Sequence, residues 1–413
     1  MSQSKPSFIV YSFQGIQDPL FRGLILQYLK KINTPEVRYH FHVITYEQDQ
    51  YMTSEAERAA FREACQPYGI SWYPVRYHTT SRFVLFYRLW DFIQSIRQAI
   101  RIKARYRVKA ILGYLVIAGA FSFIISRLLG LRLAIYCFEP HSEYMVDFGA
   151  WTRKAISYRL LNGFERLEAT YAEYLAVPTS HTLELVRNWK PRAKEIFQVP
   201  ISVDTDKFRF SASYRQEIRE RFGMQERQVV LYLGKFDGLY YPVAEVAQFS
   251  YQLYRHDPSM FFFTITPDDT ASVATAYREA GLPESAFFVH DKVPYDEVEQ
   301  YISAADIGLV AIPPLPSQKY RTPVKVGNYL ACGLPYIITK GIADDDVLAR
   351  EENVGAVFES LAPEDFKTGW KQVAALLSED KEKLRERCRR IGVRERGLQR
   401  TEAVLRQILE KMS

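Results

Sequence analysis

The sequence predicts an α/β protein built from two doubly wound parallel sheets. Three observations carry this. Short apolar runs of strand character alternate with longer segments of helical apolar period along nearly the whole chain. The alternation is interrupted once, at the segment 196–208, and then restarts. The 413 residues suit two domains of about 100–200 residues each.

In order, FIVYSF reads as a buried strand, followed by the turn-like QGIQDP and the periodic helix LFRGLILQYLKKI. YHFHVITY reads as a second strand, with helices expected at 54–66 and near 84–106. Residues 110–126 form an uncharged run of 17 with internal Gly113 and Gly119. That is short of the roughly 20 residues a spanning helix needs, so it reads as strand, glycine turn and helix start. LRLAIYCFE is a strand ending at the polar loop PHSEY. A helix around 152–172 precedes the strand YLAVPTS, which runs into a helix cap.

IFQVPISVDTDKF lacks helical period and reads as a crossing linker. The restarted alternation runs QVVLYLGKF, helix 243–255, MFFFTIT, helix 270–280, AFFVH, helix 295–304, DIGLVAI, a proline-rich loop, helix 323–332 and PYIIT. The expected division is 1–200, linker 201–208, 209–395, and a final amphipathic helix within 396–413 able to pack back on the first domain. Two such sheets joined by a linker imply a cleft, with ligands at the carboxyl ends of the strands.

The bulk numbers narrow the function classes. Four cysteines without CxxC spacing fit reduced thiols in a cytoplasm. No secretory signal is visible at the start of the chain. No GxGxxG follows the first strands and no P-loop occurs, which disfavours two-sheet dehydrogenases and kinases. Residues 76–109 hold nine basic residues against one acid, Asp91. That segment carries +8 while the remainder carries −2. A local excess implies a local partner. Mixed with Phe83, Phe86, Leu89, Trp90 and Phe92, it has the pattern of an interfacial helix on an anionic membrane. No nucleic-acid recognition motif accompanies it.

The most informative stretch is 306–346. A strand ends at Ile312, and a loop with Pro313, Pro314 and Pro316 carries Lys319 and Arg321. Thr322 suits a helix N-cap, Pro323 the first helical position and Gly333 the C-terminal stop. Lys325 falls in the first turn, where a cation is ordinarily unfavourable. Three basic groups at a helix N-terminus make an anion site matched to a diphosphate, with Asn328 one turn on along the same face. The plainer alternative is a solvated basic loop. Asp344, Asp345 and Asp346 resemble a metal cluster but fit better as acidic first-turn residues, so no metal is expected.

TPVKVGNYLACGLPYIITKGIADDD resembles the signature of the retaining GT-B glycosyltransferases, glycosyl transferases group 1 (family 4), in the bacterial envelope-polysaccharide branch. VPISVDTDKF is similar to that family's interdomain linker, and YLGKFDGLYY to the strand and turn that open its nucleotide domain. FEPHSEY, NGFERLEATY and LAVPTS are similar to the end of its acceptor domain. The resemblance covers nearly the whole chain in the right order.

The resemblance implies a GT-B fold of two Rossmann-like domains facing a cleft. It also implies metal-independent transfer from a nucleotide diphosphate sugar, UDP- or GDP-linked, to a saccharide or polyprenyl-linked acceptor, on the cytoplasmic face of the membrane. It places Lys325 and Lys235 on the donor diphosphate, where the anion site read from the residues adds Lys319, Arg321 and Thr322. Asn328 falls at the ribose, Gly15 at phosphates or acceptor, and His141 near the transferred sugar between Glu139 and Glu143. Thr266, Lys292 and Val293 would flank the base, and Asp344 would line the cleft. His141 could equally be a structural histidine, and Gly15 could serve only its turn.

The sequence departs from the pattern at four places. Asn328 and Tyr320 replace the glutamate pair, Tyr240 or Tyr241 replaces a basic residue, and Ile201-Ser202 replaces Asn-Gly. A non-catalytic sugar-nucleotide-binding scaffold, or a GT-B epimerase or phosphorylase, therefore stays open as an alternative.

Overall fold

The computed structural model describes residues 5–18, 20–48, 53–79, 83–236 and 241–413. Arg82 of the basic segment and Tyr240 lie outside the described residues. The chain divides into two compact units, Met1–Pro200 with Leu398–Ser413, and Ile201–Gly397.

Unit 1 holds strands β1 (Ser7–Ser12), β2 (His40–Gln48), β3 (Ile70–Tyr77), β4 (Ala110–Tyr114), β5 (Arg132–Tyr136), β6 (Tyr174–Val177) and β7 (Glu195–Gln198). They form one parallel sheet in the order β3-β2-β1-β4-β5-β6-β7. The central strands β4 and β6 are buried along their whole length, as two helix-covered faces require. The order reverses between β1 and β4, so the loops after these two strands flank the switch point.

Two differences from the sequence reading appear here. Residues 195–198, expected to lie in the linker, are edge strand β7. The turn after β4 is made by Leu115 at φ 68°, while Gly113 lies within β4 and Gly119 within the Val116–Leu129 helix.

Gly119 has a packing reason. A Cβ there would fall within 1.9 Å of a carboxylate oxygen of Glu168 on the Ile156–Tyr171 helix. Glu168 is fully buried, and neither of its oxygens finds a hydrogen-bond partner among the described residues. Burial, reinforced by Glu165, pushes its carboxyl well above the ordinary range. One turn earlier, Glu165 accepts from the Ser142 amide at 2.8 Å and its hydroxyl at 2.5 Å, yet burial still raises it to about 7.

The native state therefore holds protons that the unfolded chain releases above about pH 4.3, and stability falls as pH rises through that point toward 7 and beyond. Glu168→Gln is expected to raise the thermal midpoint at pH 8 and flatten its decline from pH 5. An unchanged profile in a midpoint-against-pH titration would show that Glu168 is ionised and paired.

Unit 2 holds β8 (Gln228–Leu233), β9 (Met260–Thr266), β10 (Phe287–Asp291), β11 (Ile307–Val310), β12 (Tyr336–Thr339) and β13 (Gly355–Phe358). They form a second parallel sheet in the order β10-β9-β8-β11-β12-β13, with its switch point between β8 and β11. The strand β9 is buried throughout.

The Val324–Ala331 helix is pinned onto this sheet by Tyr329. Its ring lies where a Cβ of Gly308 would stand, within 2.3 Å, and its hydroxyl donates to the Leu231 carbonyl at 3.2 Å. Any side chain at 308 would lift the helix from the strand. That contact fixes the start of the helix at the carboxyl ends of β8 and β11.

Candidate functional site

The loops after β8 and β11 carry the sequence-predicted cations of unit 2. Lys235 is exposed just past β8, and its carbonyl accepts from the Tyr232 hydroxyl at 3.0 Å. Lys319 and Arg321 follow β11, within and just after the one-turn 3-10 helix Pro316–Tyr320. Lys325 is the second residue of the Val324–Ala331 helix and is 9% exposed. Three cations therefore stand on the two loops that flank the switch point, and a fourth in the first turn of the helix that follows.

The capping differs from expectation. Pro323 itself occupies the N-cap position with extended ψ of 121°, and Thr322 lies one residue earlier with no capping hydrogen bond. A proline in the cap leaves the first-turn amides uncapped, directed out of the helix start. The Thr322 hydroxyl and Asn328 Oδ1 are both buried without a hydrogen-bond partner among the described residues. The Gln318 side-chain nitrogen is in the same position.

Lys325 is held by aromatic faces. Its Nζ stands 4.1 Å from the Tyr232 ring centroid and 3.9 Å from that of Tyr241, while Tyr232 stacks on Phe236 at 4.2 Å. Ring quadrupoles attract the ammonium and leave its charge in place. Sequence reasoning missed this cage. Tyr241 is one of the two positions where a basic residue was expected, and its place carries a ring facing the lysine.

Asp268 was also missed. It accepts from the Thr266 hydroxyl at 2.9 Å and from the Phe236 amide, tying the loop after β9 to the loop after β8. Thr266 is thus fully buried and serves this tie. Lys292 and Val293 lie past edge strand β10, two strands from the switch point. There Asp291 accepts from the Lys292 amide at 2.6 Å.

The acidic run forms the start of the Asp345–Glu351 helix. Asp344 is its N-cap residue, Asp345 pairs with Arg396, and Asp346 accepts from the Gly341 amide at 3.0 Å.

In unit 1, Gly15 follows β1. A Cβ on it would meet the Tyr46 carbonyl at 2.8 Å and Glu47 at 2.9 Å, so the close approach to β2 requires glycine. Glu139 is buried just past β5, and His141 opens the His141–Asp147 helix with its ring edge-on to Tyr144 at 5.9 Å. Glu143 accepts from the Tyr158 hydroxyl at 2.6 Å and from Arg153 at 3.0 Å, which fastens this helix to the next one. Gly15 and these three residues all lie at the carboxyl end of the unit 1 sheet.

No model of a known protein family matches the chain, and no curated protein sequence does. Solved structures do match over nearly its whole length. Sucrose-phosphate synthase from Thermosynechococcus elongatus superposes with a TM-score of 0.73 at 14% identity, covering 99% of both chains. Anabaena Alr3699/HepE in complex with UDP gives 0.70 at 12% identity, over 98% of this chain and 100% of that one. WaaG, a glycosyltransferase involved in lipopolysaccharide biosynthesis, gives 0.62 at 14% identity over 94% of each. The fold is GT-B. Within this GT-B chain, the cations on the β8 and β11 loops and the open start of the Val324–Ala331 helix make unit 2 the better-defined of the two candidate sites.

Proposed function

We propose that the chain is a glycosyltransferase that moves a sugar from a nucleotide diphosphate sugar to a saccharide or lipid-linked saccharide, with retention of configuration, in cell-surface polysaccharide synthesis. The observation that carries this is the buried Lys325 ammonium, caged by Tyr232 and Tyr241 in the first turn of an open helix N-terminus at the unit 2 switch point. A buried cation beside outward amides favours a compact, multiply charged anion. HepE is described in complexes with UDP and with UDP-glucose, which supports a diphosphate of that class for this chain.

In this reading Lys325, Lys235, Lys319, Arg321 and the helix amides stabilise charge that builds on the departing diphosphate as the glycosyl bond breaks. Thr322 and Asn328 offer buried oxygens to sugar or ribose hydroxyls, and Thr266, Lys292 and Val293 border the base. Glu139, His141, Glu143 and Gly15 would serve the sugar or the acceptor. The charge-stabilising role is filled by side chains, so turnover is expected to persist in EDTA. Loss on chelation with recovery on adding magnesium or manganese would overturn that part.

A thermal-shift panel of UDP-, GDP-, ADP- and TDP-linked sugars tests the donor. The matching ligand at 100 times its dissociation constant stabilises by about 2.7 kcal/mol. No shift with any of them would overturn the proposal.

The second reading is a donor-binding scaffold without turnover. Asn328 favours it, because an amide offers a ribose one acceptor oxygen where a carboxylate offers two. Stabilisation by donor without sugar transfer or donor hydrolysis would select it.

A further inference from the structure

Three helices of unit 1, Val84–Tyr106, Val116–Leu129 and Ile156–Tyr171, pack side by side. Phe92 stacks on Phe121 at 4.6 Å, and Phe123 meets Tyr171 at 5.7 Å. Their sequences contain three acids, Asp91, Glu165 and Glu168, and all three are turned inward. Asp91 is held by the His78 amide and ring at 2.9 Å, Glu165 by Ser142, and Glu168 by no hydrogen bond among the described residues.

Burying carboxylates costs free energy, whereas exposing them costs none. What remains outside is of one sign. Arg88, Arg97, Arg101 and Arg105 are exposed on the first helix, and Arg159 and Arg166 on the third. The same two helices also expose Phe86 at 68%, Leu89 at 58%, Trp90, Ile100 and Leu160. Lys103, by contrast, donates to the Leu129 carbonyl and belongs to the packing between helices.

We infer that this acid-free face docks on a bilayer containing anionic lipid. A solvated surface mixes both signs and hides its aliphatic side chains. Nucleic acid would answer the arginines but offers nothing to Leu89, Ile100 and Leu160. Anionic headgroups over hydrocarbon answer both, the arginines at the headgroups and the apolar side chains at the acyl boundary. No described helix is long and apolar enough to cross a membrane, so the contact is interfacial. The inference does not depend on the donor reading, because vesicle binding needs no nucleotide sugar.

Flotation of the full chain with vesicles tests it, comparing phosphatidylcholine alone with phosphatidylcholine mixed with phosphatidylglycerol. The wild type is expected to float with the mixed vesicles at low salt, to be released by added salt, and to ignore the neutral ones. Arg97→Gln with Arg101→Gln and Arg105→Gln is expected to lower partitioning about a hundred-fold, since each cation near the surface contributes a similar increment. Arg159→Gln with Arg166→Gln, on the third helix, provides a second variant should the triple one misfold. Leu89→Ser with Leu160→Ser is expected to lower partitioning about ten-fold and to reduce the blue shift of Trp90 fluorescence. Equal binding to neutral vesicles, arginine variants that float like the wild type, or tighter binding to single-stranded RNA than to the mixed vesicles would overturn it.

Discussion

Lys325→Met is expected to weaken donor binding by about one to two orders of magnitude, the loss of one charge-assisted hydrogen bond of roughly 1.5–3 kcal/mol. Methionine keeps an unbranched stem between the Tyr232 and Tyr241 rings, so the packing of that stem is retained. The thermal midpoint without ligand should move by only a few degrees, since Tyr329 and not Lys325 holds the helix to the sheet. Isothermal titration with the donor identified by the panel gives the affinity, and initial rates give kcat and KM. A lysine that serves only as a spacer for the rings would leave both affinity and rate at wild-type values.

Asp345→Ala is expected to be the most destabilising single change in unit 2. Arg396 is 1% exposed, donates to Asp345, and also donates to the Ile201 carbonyl at 2.9 Å. Its own carbonyl accepts from the Val203 amide at 2.7 Å. Removing the carboxylate strands a buried guanidinium, which costs about 3–5 kcal/mol. For a unit of this size that is a fall in thermal midpoint of about 6–20 °C. The double variant Asp345→Ala with Arg396→Met should recover a large part of the loss, because it leaves no unpaired buried charge. A midpoint within a degree or two of wild type for Asp345→Ala would mean that water or another group compensates Arg396. Donor binding measured well below the lowered midpoint should change little, since the pair lies beneath the helix start.

Much of the fold was legible because parallel strands buried on both faces read as short continuous apolar runs. Thus β6, β9 and β12 were found nearly to the residue, and the Val84–Tyr106 and Leu398–Met412 helices likewise. The missed strands are edge or short ones. β3 carries Pro74 and Arg76 on an open edge, β7 is half-exposed throughout, and β13 spans only GAVF. The Phe366–Ser378 and Lys381–Arg396 helices were also missed.

In the site, the cations and the helix were legible from spacing and proline placement. The cage around Lys325 was not, because Tyr232 and Tyr241 read as strand and turn residues, and nothing in their spacing places both rings against the lysine. Thr322 was misplaced by one residue because the cap preference of threonine and the fixed φ of proline compete for the same two positions. The inward Glu165 and Glu168 carried no signal in composition. A helix with its acids only at positions 165 and 168 and its arginines at 159 and 166 could have suggested them, had the period been followed by sign as well as by hydropathy.

Unit 1 is assembled from two separated stretches of chain. Tyr136 shares a 2.7 Å hydrogen bond with Thr401, and Gln407 and Lys411 both reach Glu195. Val203 bridges to Gly397, so the outgoing and returning strands of backbone run together where the chain leaves and rejoins unit 1. Unit 2 is therefore complete in sequence before unit 1, whose last helix, Leu398–Met412, comes after it. A chain truncated before residue 398 would hold the whole of the second unit and an unfinished first one, with the buried phenol of Tyr136 missing its partner.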